Sequence, residues 1–99
     1  MSTRRDTQSD IDLEFLTPRE YHVFILNDDY TPIDFVIDIL MTIFHKNYQD
    51  AEAITLMVHE QDRGLCGVFS HEVAETKVMQ VTQLAKEHGH PLKSIMEEV

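Results

Sequence analysis

The chain has 99 residues, enough for one domain that buries roughly two thirds of the surface its unfolded form exposes. An apolar fraction of 42%, with 8% aromatics, excludes wholesale disorder. Eighteen acidic against eight basic residues, a net charge of −10, argue against nucleic acid or an anionic membrane surface and favour cationic partners.

Residues 1 to 19 are polar and acidic, with a short apolar cluster at Leu13, Phe15 and Leu16, and are expected to form a mobile tail. Residues 20 to 99 are expected to be the folded core. Arg4-Arg5 leads into Asp6-Thr7-Gln8-Ser9-Asp10 instead of an apolar signal region, and no apolar stretch approaches membrane-spanning length. A cytoplasmic protein is expected.

Tyr21-His22-Val23-Phe24-Ile25-Leu26 is rich in β-formers, and Asn27-Asp28-Asp29 ends it with turn chemistry, so it reads as a strand. Thr31-Pro32-Ile33-Asp34 reads as a helix start, with Thr31 as cap, Pro32 at the first helical position and Asp34 near the positive dipole end. That helix is predicted to run to about Phe44 or His45. Its apolar residues Phe35, Val36, Ile37, Ile39, Leu40, Ile43 and Phe44 cover more than one face, so it must be buried on two sides or line a groove. After the break at Lys46-Asn47-Tyr48-Gln49, a second helix is predicted from about Asp50 to Gln61.

Gly64 to Phe69 reads as a strand, and Ser70 caps a third helix with Ala74, Val78, Val81, Leu84 and Ala85 at helical spacing, stopped by Gly89. His90-Pro91 turns the chain, and Leu92 to Val99 can supply a last edge strand. The expected fold is α+β: three helices on one face of a three-stranded antiparallel sheet, in the order β-α-α-β-α-β.

No lysine or arginine occurs between Glu20 and His45, while Asp28, Asp29, Asp34 and Asp38 crowd one segment. These aspartates suit a turn and a helix N-terminus, yet they also join a strand to an over-hydrophobic helix, where polar loop groups can rim an apolar cleft. Such a cleft suits a cation carrying an apolar side chain. On the second helix, Thr55, Val58 and His59 share a face by their spacing.

Catalytic and metal-binding signals are missing from the sequence. There is no HExxH, no CxxC partner for Cys66, no GxSxG elbow and no glycine-rich phosphate loop, so neither cofactor nor metal is expected. His88-Gly89-His90 straddles a helix end and makes a poor zinc site. A hydrolase using Asp28 or Asp29 with His59 lacks a nucleophile and an oxyanion stabiliser. Cys66, inside an apolar run, reads as a small buried thiol.

Several separated blocks resemble the ClpS family of protease adaptors: Val23-Phe24-Ile25-Leu26-Asn27-Asp28-Asp29-Tyr30-Thr31-Pro32, Val58-His59, Cys66-Gly67-Val68-Phe69, Glu72-Val73-Ala74-Glu75-Thr76-Lys77-Val78 and His90-Pro91-Leu92. The resemblance spans about residues 20 to 97. It implies a non-enzymatic adaptor that binds the free N-terminal Leu, Phe, Tyr or Trp of an N-degron substrate. Its partner would be the N-terminal domain of the ClpA or ClpC unfoldase, which works with ClpP. By the same resemblance, Asn27, Asp28, Asp29 and His59 bind the α-amino group, and Thr31, Ile33, Val36, Thr55, Val58 and Leu92 line the side-chain pocket. Glu72 and Lys77, with Tyr30 as a weaker candidate, match positions that meet the unfoldase. Most bacterial members carry methionine at the positions of Ile33 and Thr55, so a narrower or reshaped residue preference is expected here. The alternative is a protein that docks on the unfoldase and inhibits or redirects it without carrying N-degrons.

Overall fold

In a computed structural model of the chain, described for residues 19–99, the elements run β1 (Glu20–Leu26), α1 (Ile33–Thr42), α2 (Tyr48–Gln61), β2 (Arg63–Ser70), α3 (His71–Glu87) and β3 (Ser94–Glu98). This is the expected α+β order. Apart from Arg19, the N-terminal tail predicted for residues 1 to 19 lies outside the described residues. No described helix is long and apolar enough to cross a membrane.

The most apolar strand, β1, is central: the sheet order is β2-β1-β3, antiparallel throughout. Alternation along β1 sends Val23 and Ile25 into the core, both fully buried, and leaves His22 and Phe24 on the other face. A register shift between Val23 and Phe24 leaves Cys66 as the extra residue on β2, between Gly67 and Leu65. Its thiol is buried, donates to the Gly64 carbonyl oxygen at 3.7 Å, and is pushed up to about 12 by burial. Cys66 is thus a packing residue, as its apolar neighbours suggested.

α1 closes the core. Ile39 and Leu40 are fully buried, and Val36 and Ile37 nearly so, which accounts for apolar residues on more than one of its faces. The helix begins at Ile33, because Thr31 does not cap it: the Thr31 hydroxyl donates to Asp28 Oδ2 at 2.8 Å instead. It ends at Thr42, short of the predicted Phe44 or His45. The chain turns through His45 with a left-handed φ of 55°, the Lys46 amide donates back to the Leu40 carbonyl at 3.0 Å, and the Lys77 ammonium donates to the Ile43 carbonyl. A side chain from α3 therefore takes up a carbonyl that the helix end leaves free.

α2 starts two residues before the predicted Asp50 because Asn47 caps it, accepting the Asp50 amide at 2.8 Å. It ends at Gln61, followed by Asp62 as its cap in the left-handed region, φ 69°, and the Asp62 carbonyl accepts the Asn27 amide at 2.8 Å. That bond ties the end of α2 to the loop after β1. Ser70 caps α3 as expected, accepting from the Val73 amide at 3.4 Å, and Gly89 follows the helix with a φ of 73°.

Gly64 shows how closely α2 lies on β2. A Cβ there would stand 2.7 Å from Val58 Cγ2 and 3.0 Å from the Ile54 carbonyl oxygen. The Gly64→Ala variant is expected to lose about 1–3 kcal/mol by overpacking, read as a lower urea midpoint. An unchanged midpoint would mean that α2 moves away at little cost.

Candidate functional site

The loop after β1 is organised by a single carboxylate. Asp28 Oδ1 accepts the amides of Tyr30 at 2.8 Å and Thr31 at 2.7 Å, while Oδ2 accepts the Thr31 hydroxyl. Partial burial works to raise the carboxyl's pKa. The Thr31 and Tyr30 amides, the Thr31 hydroxyl and the charge of His90 outweigh it and hold the pKa below its ordinary value of 3.8. At neutral pH Asp28 is a fixed anion.

Beside it opens a cavity of about 750 Å³ between the β1–α1 loop, α1, α2 and the segment leading to β3. Its floor and walls are the buried side chains of Val36, Ile37, Thr55, Val58 and Leu92. The Thr55 hydroxyl donates to the Ala51 carbonyl at 2.7 Å, so its proton is used within α2 and is not left unpaired in an apolar wall. Asn27, Asp28, Thr31 and His59 contribute the polar edge, and Ile33, 64% exposed, stands at the mouth. No lysine or arginine lines the cavity. The arrangement can accept a cationic donor at one end and an apolar side chain below it.

The chain also resembles known proteins along most of its length. The family model described as "ATP-dependent Clp protease adaptor protein ClpS" matches residues 16–95. The chain belongs to the ClpS family. Among curated ClpS adapter proteins, that of Wolinella succinogenes is 46% identical over 95 residues, covering 94% of this chain and 93% of its own. That of Hydrogenovibrio crunogenus is 54% identical over 82 residues, covering 83% and 79%. Among solved structures, Agrobacterium tumefaciens ClpS2 bound to L-phenylalaninamide superposes with a TM-score of 0.81 at 34% identity, covering 83% of this chain and 99% of that one.

Within this ClpS fold most of the residues suggested by resemblance fall together, and the others are dispersed. Asn27, Asp28, Thr31, Ile33, Val36, Thr55, Val58, His59 and Leu92 all line the one cavity. Asp29 is exposed on the same loop but is not among the lining residues. The three residues suggested for unfoldase contact do not form a single patch. Tyr30, 82% exposed, follows the C-terminal end of β1, while Glu72 lies in the first turn of α3, beyond the strand end where Ser70 pairs with Glu20, the opposite end of the sheet. Lys77 is partly buried, bonded to the Ile43 carbonyl and 5.9 Å from the centre of the Phe69 ring.

The cavity also has lining that sequence reasoning missed: Leu26 from β1, Asp34 and Ile37 from α1, and Tyr48, Gln49, Glu52, Ala53 and Leu56 from α2. Tyr48, Glu52 and Leu56 recur at four-residue spacing, and Thr55 and His59 continue the same side of the helix. Extending the Thr55–His59 face towards the helix N-terminus would have found them. Among the described residues, no group of three or more metal-ligating side chains gathers.

Replacing Asp28 by Ala removes the acceptor of three hydrogen bonds and is expected to cost about 0.5–2 kcal/mol at pH 7, as for a lost capping side chain. Because the folded pKa lies below the unfolded one, the charge-dependent part of this stability is complete above about 3.8 and is lost as pH falls through the lower folded value. Urea titrations should therefore show wild type more stable than Asp28→Asn at pH 7, with the gap closing below pH ~3.8. A gap that persists unchanged in acid would show that the charge contributes nothing.

Proposed function

We propose that this chain is an adaptor whose cavity binds the free N-terminal Leu, Phe, Tyr or Trp of a substrate and delivers it to a ClpA or ClpC unfoldase for degradation by ClpP. Residues 20 to 99 form the adaptor core in this reading. The observation that carries it is an anionic, hydrogen-bonding edge on a cavity with an apolar floor. The Agrobacterium tumefaciens relative was solved with L-phenylalaninamide, and that ligand has the chemistry such a site suits: a free α-amino group, a bulky apolar side chain, and an amide where a peptide would continue.

The α-amino group is held by Asn27, Asp28 and His59, with Asp29 adding negative field from the same loop. A unit charge pair 4 Å apart gains about 4 kcal/mol of gross Coulomb energy at an effective dielectric of ~20, before desolvation is counted. Burial of the first side chain against Val36, Thr55, Val58 and Leu92 adds roughly 1.5–3 kcal/mol. Together these can support micromolar binding after the entropy losses of association, and neither suffices alone. An internal residue offers only a neutral amide N–H to an edge built for a cation, so selectivity for the chain terminus follows. Glu72 and Lys77 on α3, and secondarily Tyr30, are assigned to the unfoldase contact. Lys77 then acts from a position braced against the end of α1.

Fluorescence anisotropy with labelled peptides that differ only in their first residue tests the reading. Bulky apolar first residues should bind, with at least a tenfold loss on N-acetylation and in an Asp28→Ala, Asp29→Ala variant. Failure of every free N-terminus to bind would leave a protein that docks on the unfoldase without carrying N-degrons. A second series sets Leu, Phe, Tyr, Trp, Ile and Val peptides against an Ile33→Met, Thr55→Met variant. A stiff β-branched gate adjusts less than methionine, so the variant should broaden the accepted set, and superimposable profiles would remove these two residues from the selectivity.

A further inference from the structure

The cavity has more room than one side chain fills. A void of about 150 Å³ lined by apolar groups accommodates a benzene ring, whereas this one measures about 750 Å³ and continues along α2 past the buried floor. The outer stretch has a character of its own. Tyr48 and Leu56, 55% and 56% exposed, stand on either side of Glu52 at helical spacing, and Asp34, in the first turn of α1, adds a second carboxylate to the lining of the cavity as a whole. All of its charged groups are acidic. Apolar walls with carboxylates at the edge match a side chain with a long aliphatic stem and a cationic head, since such side chains lay the stem on apolar surface and keep the charge in water.

We propose that this stretch is a second side-chain subsite, taking a lysine or arginine at the third position of the bound N-terminal segment. The proposal rests on the N-terminal-residue reading above. Along an extended peptide the first and third side chains point to the same side, and their Cα atoms are about 7 Å apart. On α2, His59, at the amine end, lies seven positions after Glu52, a rise of about 10 Å. With the terminus at His59 and the peptide running towards Tyr48, the third side chain hangs over the Leu56–Glu52 turn. The second points away from it. Arginine gains further by laying its guanidinium on the Tyr48 ring.

The test uses the full chain and peptides that begin Leu-Ala, labelled at the C-terminus, with Lys, Ala or Glu in third place and, as a control, Lys or Glu in eighth place. Wild type should bind the third-position Lys peptide about five- to tenfold more tightly than the Glu peptide, with Ala between, and 0.5 M salt should narrow the range. In Glu52→Gln, which keeps the shape of the side chain, the Lys-to-Glu ratio should fall to about two or less, while circular dichroism verifies the fold. Equal ratios at the third and eighth positions would reduce the effect to the general acidity of the protein and overturn the subsite, as would a ratio that survives Glu52→Gln. Leu-first peptides that bind with no third-position dependence overturn this inference alone. No binding by any Leu-first peptide overturns it together with the reading on which it rests.

Discussion

The carboxylate of Asp28 sets the geometry on which the site depends. It takes the two amides and the hydroxyl that follow it, so the chain leaves β1 and enters α1 through one defined turn. That turn places α1 over the sheet, where Ile39 and Leu40 fill the core, and leaves Val36 and Ile37 facing the space before α2. Being ionised to satisfy its own loop, Asp28 also presents a negative charge at the edge of a cavity that no lysine or arginine lines. A group that makes the fold and marks the site need not be reorganised when a cation arrives, and preorganisation of this kind lowers the cost of binding.

The apolar cavity beside it persists because the helices around it are braced elsewhere. α2 is pressed on β2 at Gly64, and the Asp62 carbonyl ties its end to Asn27. α1 is held at its far end by Lys77, which reaches from α3 to the Ile43 carbonyl. With both walls fixed at their ends, the space between them does not collapse to bury its own lining, as a flexible void would. The same bracing connects the cavity with α3. Lys77 supports the wall of the cavity from the helix that also carries Glu72, so any partner that competed for its ammonium would act on the end of α1.

The sequence read alone carried the fold a long way. β1 was legible from its run of β-formers, α3 from its apolar spacing between Ser70 and Gly89, and the two-sided burial of α1 from an apolar surplus that no single face could hold. Where boundaries differed, a polar side chain made a bond that residue type did not foretell or the backbone turned early. Thr31 was occupied by Asp28, Asn47 capped α2 ahead of Asp50, and the residues after Thr42 turned through His45. Hydrogen-bonding choices among neighbouring polar side chains are decided by local geometry, and residue type does not rank them.

What the sequence by itself determined is the set of elements and the chemistry of the edge: an acidic turn without basic neighbours, followed by a helix too apolar for one face. Periodicity and charge are local properties, and they survive without coordinates. Local pattern did not say which residues share the cavity: the resemblance to the ClpS family named nine of them, and the others came from the tertiary structure. It brought Leu92, 65 or so positions downstream of Asn27, to the same wall, and it turned the exposed side of α2 at Tyr48, Glu52 and Leu56 towards α1. It also drew Lys77 inward to a carbonyl and left Tyr30 far from Glu72. These are questions of how elements pack, and helix spacing says which residues lie side by side on one element without saying what that side meets.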